Sequence, residues 1–175
     1  MEAVKIILLS ILAAILYGIA QDQVTARVCV EYFTVGHRDV FGTDSPTLLA
    51  FGWGVLATWW AGLLMGLPLA VAARVGPYPK RTVGELIPTV GRLLLGIGAA
   101  AAVCGVLGYF AARAGLLQLN PWLASEIPAE RHALFLADGS AHSAAYAAGF
   151  LGGAVVCLRT WRGRLKAAAV KGCSP

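Results

Sequence analysis

The sequence predicts an all-α protein, a polytopic membrane four-helix bundle with a short interfacial helix on its outer side. Of its 175 residues 58% are apolar and only 13% charged, and the mean hydropathy is +0.72, whereas charged residues make up about a quarter of a soluble domain. A helix needs about 20 mostly apolar residues to cross a bilayer. Four segments meet or approach that length, and we expect them to form one integral membrane domain over residues 1–175: 3–19, 47–73, 90–112 and 140–158.

Lysine and arginine predict the orientation, because cytoplasmic loops retain them. One side of a four-pass topology carries Lys5, Arg74, Lys80, Arg81, Arg92, Arg159, Arg162, Arg164, Lys166 and Lys171. The other carries only Arg27, Arg38, Arg113 and Arg131. We therefore expect a multi-pass protein of a bacterial inner (plasma) membrane with both termini cytoplasmic. The net charge of +5 then reflects contact with the lipid bilayer and not a nucleic-acid partner, since no basic patch is interleaved with aromatic residues.

The first apolar segment also has the length of a signal-peptide core. Its amino-terminal flank is poor in positive charge because Glu2 offsets Lys5, so we expect it to be retained as a span. Cleavage is the alternative, and it would leave three spans with every later segment on the same side.

Residues 21–34 contain no glycine or proline, which predicts that the first helix continues beyond the membrane. On such a helix Gln23, Arg27 and Glu31 share one face at four-residue spacing, and an ion pair between Arg27 and Glu31 is expected. The second span should begin at Pro46, after a cap from Asp44 or Ser45.

The second span carries aromatic and small residues near its middle. Trp53, Trp59 and Trp60 lie deeper than the interfacial belts that tryptophan prefers. We expect them to pack against other helices, and the alternative is a lipid or quinone pocket. Gly62 and Gly66 form a GxxxG pair that permits close helix approach.

The second outer segment predicts a short interfacial helix over 129–138, begun by Pro128 and separated from the fourth span by Gly139. At the outer end of that span Asp138, His142 and Tyr146 recur every four residues and so share a face. A carboxylate one turn from an imidazole can orient it for metal binding or for general-base catalysis. A hydrogen-bonded helix cap is the alternative.

The histidines and most acids fall in the two outer segments, which suggests a metal site. Imidazole and carboxylate ligands suit zinc, iron, copper or manganese. The candidate ligands are His37, His132, Asp138 and His142, with Glu31 supporting them. His132 and Asp138 point about 120° apart on an unbroken helix, so they converge only if the chain breaks near Gly139. The alternative is that polar side chains simply gather where water is.

The four cysteines predict no disulfide framework. Cys29, Cys104, Cys157 and Cys173 each fall at a different depth or on a different side of the membrane in this topology, so no two are placed to pair.

Three stretches carry a resemblance to a known group: residues 22–37 (DQVTARVCVEYFTVGH), FGTDSP at 41–46 and WGVLATWW at 53–60. In these stretches the chain resembles uncharacterised bacterial four-span membrane proteins of similar length. The resemblance covers about the first 75 residues and implies the membrane fold, but no activity, cofactor or site residue.

Two functions therefore compete. The first is binding of a small ligand or divalent metal at the outer rim, with hydrolytic and redox chemistry left open. The second is a non-catalytic scaffold or assembly subunit, with a membrane-protein partner or a second copy of the chain. A proton or ion transporter is disfavoured because no acid, base or histidine lies near the centre of a predicted span. Whether the protein is an enzyme stays undecided.

Overall fold

The structure, a computed structural model, describes residues 1–170 and contains no strand in that range. The seven α-helices are α1 (Glu2–Val28), α2 (Glu31–Thr34), α3 (Pro46–Leu56), α4 (Trp59–Arg74), α5 (Val83–Arg113), α6 (Pro121–Glu126) and α7 (His132–Val170), with a 3₁₀ turn at Ala129–Arg131 before α7. Among these residues four segments are long and apolar enough to cross a membrane: α1, α3 together with α4, α5, and α7 with the 3₁₀ turn before it. The predicted all-helical membrane bundle is confirmed.

Helix starts follow local sequence signals. Pro46 occupies the first turn of α3, as predicted, although neither Asp44 nor Ser45 gives a side-chain cap. Thr82 and Glu85 form a reciprocal capping box at α5, which satisfies two amides that the helix leaves unpaired. Asn120 caps α6 by accepting a hydrogen bond from the backbone N–H of Leu123.

The first helix continues beyond its apolar segment, as predicted, but it ends at Val28. The turn at Cys29 and Val30 changes the helical register before Glu31, so the predicted Arg27–Glu31 ion pair is wrong. Arg27 Nη1 instead donates to Gln23 Oε1 at 2.6 Å. Glu31 pairs with Arg131, with Nη2 and Oε2 3.1 Å apart.

The second span is interrupted at Ala57 and Thr58, between α3 and α4. The Thr58 hydroxyl donates to the carbonyl of Gly54 one turn earlier, and such back-bonding competes with regular helix. The carbonyl of Ala57 accepts a hydrogen bond from the Tyr146 hydroxyl of α7 at 2.8 Å. A side chain of the last span therefore satisfies the backbone at the interruption.

The fourth span differs from the prediction at its amino-terminal end. Gly139 lies inside α7, which runs unbroken from His132, so the expected separate helix over 129–138 is wrong. The short independent helix between the third and fourth spans is α6. Because α7 is continuous, His132 and Asp138 keep their angular separation of about 120°.

The helices form a bundle in which α1 packs on α3, α4 and α5, and α7 packs on α4 and α5. Glycine permits the closest approaches: a Cβ on Gly62 would lie 2.7 Å from Ile11 Cα, and one on Gly54 would lie 2.5 Å from the Ile19 nitrogen. Contact between α1 and α7 is slight. A space therefore remains between these two helices.

The two ends of the bundle differ in chemistry. At the end named here the arginine end, Glu2 accepts a hydrogen bond from the Val83 backbone N–H at 3.1 Å. The fully buried Arg164 donates there to the carbonyls of Ala72, Val75, Tyr78 and Pro79. The opposite end, named the histidine end, carries Asp22, Thr25, His37 and His142.

Cys29, Cys104 and Cys157 are free thiols, as the sequence predicts. Cys173 and Lys171 lie outside the described residues, so the predictions made for them stay predictions.

Candidate functional site

A central cavity of about 180 Å³ lies among the four spans. It extends along α1 from Ser10 to Asp22 and along α7 from His142 to Cys157, which correspond to about 18 Å and 22 Å at 1.5 Å per residue. Most of its lining is apolar, contributed by Ala13, Ala14, Met65, Leu69, Val90, Leu93, Leu94, Ile97, Phe150 and Val156. The cavity is therefore long and narrow, and its polar groups are concentrated towards the histidine end.

Asp22 and His142 form the centre of that polar end. His142 Nε2 lies 3.6 Å from Asp22 Oδ1 and 3.0 Å from the hydroxyl oxygen of Thr25. Asp22 and Thr25 are buried, and both are on α1, three residues apart, so they face α7 together. Asp22 and His142 line the cavity, whereas Thr25 lies behind them.

Asp138 lies one turn before His142 on α7 and is 5% exposed. Its carboxyl group lies against Thr25, and its Oδ2 has no hydrogen-bond partner among the described residues. The predicted face shared by Asp138, His142 and Tyr146 is present, since all three point towards α1 and the second span. Nevertheless, the groups that hold His142 are Thr25 and Asp22, and not Asp138.

Aromatic rings cover the polar end of the cavity. Tyr32 stacks on His142, with ring centroids 4.7 Å apart and planes 17° apart. The His37 ring lies 5.1 Å from Tyr32 and 4.6 Å from Trp53. Burial raises the pKa of the Tyr32 phenol above its ordinary value, so this group stays neutral and available as a donor.

His37 is held in a defined tautomer. Its Nδ1 lies 2.7 Å from the carbonyl oxygen of Tyr32, and a carbonyl can only accept. Nδ1 therefore carries the proton. In the neutral ring this leaves Nε2 as an acceptor, and His37 itself lines the cavity.

The loop behind the site is fixed by an ion pair. Arg131 binds both oxygens of Glu31 and the carbonyl of Val28. Burial raises the pKa of Glu31, but backbone and Arg131 hydrogen bonds outweigh it and hold the pKa below its ordinary value. Burial, with the hydrogen bond to Glu31, raises the pKa of the Cys29 thiol to about 12. Cys29 is therefore a structural thiol.

The five predicted metal ligands do not converge. His132 donates to the Ile127 carbonyl at 2.8 Å and lines a separate pocket beside Ala112 and Gln118. Glu31 is engaged by Arg131. Within residues 1–170, no group of three or more His, Cys, Asp or Glu side chains could hold a metal ion. The geometry thus gives no support to the predicted metal site, mainly because α7 is unbroken at Gly139.

Asp22, Thr25 and Tyr32 were not predicted as site residues. The predicted polar face of the first helix carried Gln23, Arg27 and Glu31, and the part of it on α1 faces water and the start of α3. The signal for the other face was the spacing of Gly18, Asp22 and Thr25, a small residue and two polar ones at helical spacing. Such a stripe marks the side of a membrane helix that meets other helices.

The mid-span tryptophans fall into two groups. Trp53 lines a pocket, which was the alternative expected from the sequence. Trp60 packs against another helix, as expected, since it stacks on Tyr146 of α7 with 6.1 Å between ring centroids. Trp59 is 44% exposed, so packing between helices is the wrong expectation for that residue in the single chain.

The geometry limits the chemistry. In a Ser-His-Asp type of triad the acid and the nucleophile contact opposite imidazole nitrogens, whereas Asp22 and Thr25 both approach Nε2 of His142. Thr25 is also fully buried. The site can bind, orient and exchange a proton with a polar group at the end of the cavity, but Thr25 is not placed as a nucleophile.

No family model, no curated protein and no solved structure matches this chain.

Proposed function

We propose that this protein binds a small lipophilic ligand in the central cavity, with the polar part of the ligand beside Asp22 and His142. One observation carries the proposal: a long, mostly apolar cavity has its few polar side chains concentrated at one end. Ligand pockets combine apolar walls with a few placed polar groups that fix orientation. The apolar side chains of the cavity would contact the apolar part of the ligand, and the polar side chains at the histidine end would orient its polar head group.

This proposal keeps the ligand-binding alternative and sets the metal alternative aside. Two of the predicted ligands, His132 and Glu31, are held away from the cavity by Ile127 and Arg131. The scaffold alternative, with a membrane-protein partner or a second copy, would be favoured if the protein co-purified with a defined partner and an empty cavity.

A cavity-filling variant tests the proposal. Gly149 lines the cavity, and a Cβ there would meet only Ile97 Cδ1 at 3.7 Å, so Gly149→Leu should place its side chain in the cavity. Gly96→Leu is the matched control, because Gly96 is exposed and has nothing within 4 Å of an added Cβ. We expect a lipophilic compound to be extracted from the purified wild type and the control, but not from Gly149→Leu, when the extracts are compared by mass spectrometry.

Circular dichroism and size-exclusion chromatography establish that both variants are folded. A wild-type protein that carries no ligand and binds no lipophilic probe would contradict the proposal. So would a folded Gly149→Leu variant that retains as much ligand as the control.

We propose further that the chain belongs to the bacterial four-span proteins that it resembles and resides in the inner membrane. The histidine end would face outwards and both termini would lie in the cytoplasm. The excess of lysine and arginine towards the arginine end supports this orientation. Reporter fusions at positions 38 and 131 should both report the outer side, and fusions that report opposite sides would contradict the topology.

A further inference from the structure

We infer that the ligand is a single long hydrocarbon chain with an uncharged, hydrogen-bonding head group, and that the head lies at the histidine end. This inference rests on the proposed function and specifies the class of molecule that the cavity takes.

The shape of the cavity favours one chain. About 180 Å³ is distributed along about 20 Å of helix length, which leaves no room for two chains side by side. The far end is lined by Leu69, Val156 and Cys157, none of which offers a charge to a second polar group, and the Ser10 hydroxyl there donates to the Ile6 carbonyl. The molecule should therefore be polar at one end only.

The charge of the lining excludes an anionic head. Among the described residues, those that line the cavity include Asp22 but no lysine or arginine. A carboxylate or phosphate head would therefore be buried without a cation to pair with, which is costly in a medium of low dielectric constant. Arg27 and Arg131 are held by other partners, Gln23 and Glu31.

The hydrogen-bonding groups favour an uncharged head over a cation. An ammonium head only donates, so it could not accept a hydrogen bond from the Tyr32 phenol. His37 offers Nε2 as an acceptor, and Tyr32 offers a neutral phenol nearby. A hydroxyl head can both donate and accept, as a long-chain or polyprenyl alcohol does.

Four hexadecyl compounds with different head groups test the inference on the full-length protein in nanodiscs of neutral lipid at pH 7. Competition against radiolabelled hexadecanol is measured with unlabelled hexadecanol, hexadecanesulfonate, hexadecylamine and hexadecyl methyl sulfone. The sulfone is an uncharged analogue close in size to the sulfonate. We expect hexadecanol to compete at least about tenfold better than the sulfonate or the amine, and the sulfone to exceed the sulfonate.

Two variants sharpen the test. Asp22→Asn should narrow the preference for hexadecanol over the sulfonate, because an amide carries no charge and can donate a hydrogen bond to the anion. Gly149→Leu should abolish specific binding of all four compounds, whereas Gly96→Leu should not.

The outcomes separate the two proposals. Binding of none of the four compounds by the wild type would overturn the inference and remove support for the proposed function. A second outcome is that Gly149→Leu blocks binding but the sulfonate or the amine binds most strongly. That result would overturn the inference of an uncharged head group and would leave the proposed function intact.

Discussion

Thr25 of α1 and His142 of α7 are 117 positions apart in the chain, and Thr25 Oγ1 lies 3.0 Å from His142 Nε2. This hydrogen bond joins two helices that otherwise make little contact. It holds the imidazole at the edge of the cavity, with Asp22 on the same nitrogen. The position of the His142 ring therefore depends on residues of α1 and not only on its own helix, α7.

Thr25→Val keeps the shape of the side chain and removes the hydroxyl, so His142 loses its partner. We expect a loss of about 0.5–2 kcal/mol in the free energy of unfolding, measured by SDS titration in mixed micelles. The same substitution in a His142→Ala background should cost less, because the partner is already absent. Equal losses in both backgrounds would show that the hydrogen bond is not the cause.

The Glu31–Arg131 pair should make stability depend on pH. The pKa of Glu31 is lower in the folded protein than its ordinary value of 4.5, so its stabilisation is complete above that value and is lost as the pH falls through the folded pKa. The pair is 21–30% exposed, and its contribution should be about 1 kcal/mol or less. The difference in unfolding free energy between wild type and Glu31→Gln should shrink as the pH falls from 7 to 3. A difference that stays constant would contradict the assignment.

Gly62→Ala should separate α1 from α4. The new Cβ would lie 2.7 Å from both Ile11 Cα and Ser10 O, which are backbone atoms that cannot move aside alone. We expect a loss of about 1–3 kcal/mol in unfolding free energy. Gly91→Ala is the control, since nothing lies within 4 Å of its Cβ, and it should be neutral or stabilise the helix by up to about 1 kcal/mol. Similar effects at the two glycines would refute the close packing.

Arg164→Met should be the most damaging change at the arginine end. It would leave the carbonyls of Ala72, Val75, Tyr78 and Pro79 without the donors that Arg164 now provides. We expect a loss of about 3 kcal/mol or more, because hydrogen bonds to a charged donor are the strong ones. Arg164→Lys should recover only part of the lost unfolding free energy, since an ammonium group lacks the planar arrangement of five N–H donors that a guanidinium group has.

Arg162→Met is the control for that experiment. Arg162 is exposed on the same helix, and its replacement should change the unfolding free energy by about 0.5 kcal/mol or less. A comparable loss in the two variants would mean that general charge, and not the carbonyl contacts, explains the effect of Arg164→Met.

The long elements could be predicted from sequence because hydropathy over about 20 residues depends on no tertiary contact. Pro46 likewise marked the start of the second span through its own geometry. The prediction at Gly139 was wrong for a local reason. α7 continues through Gly139, since a single glycine costs a helix only about 1 kcal/mol and does not by itself end it.

The site was harder to predict because its partners come from distant segments. Asp138, His142 and Tyr146 were correctly placed on one face, but the groups that contact His142 come from the opposite face of the first helix to the one analysed. The interruption at Ala57 carries no glycine or proline. Periodicity within one helix cannot reveal contacts of this kind.

The interrupted second span also bears on biogenesis. Tyr146 satisfies the carbonyl at its interruption and Arg164 those at its carboxyl end, and both side chains belong to the last span. Until the ribosome has delivered that span, the nascent bundle holds unpaired carbonyls at two depths. We therefore expect the fold to be complete only when the carboxyl-terminal helix has packed on the second span.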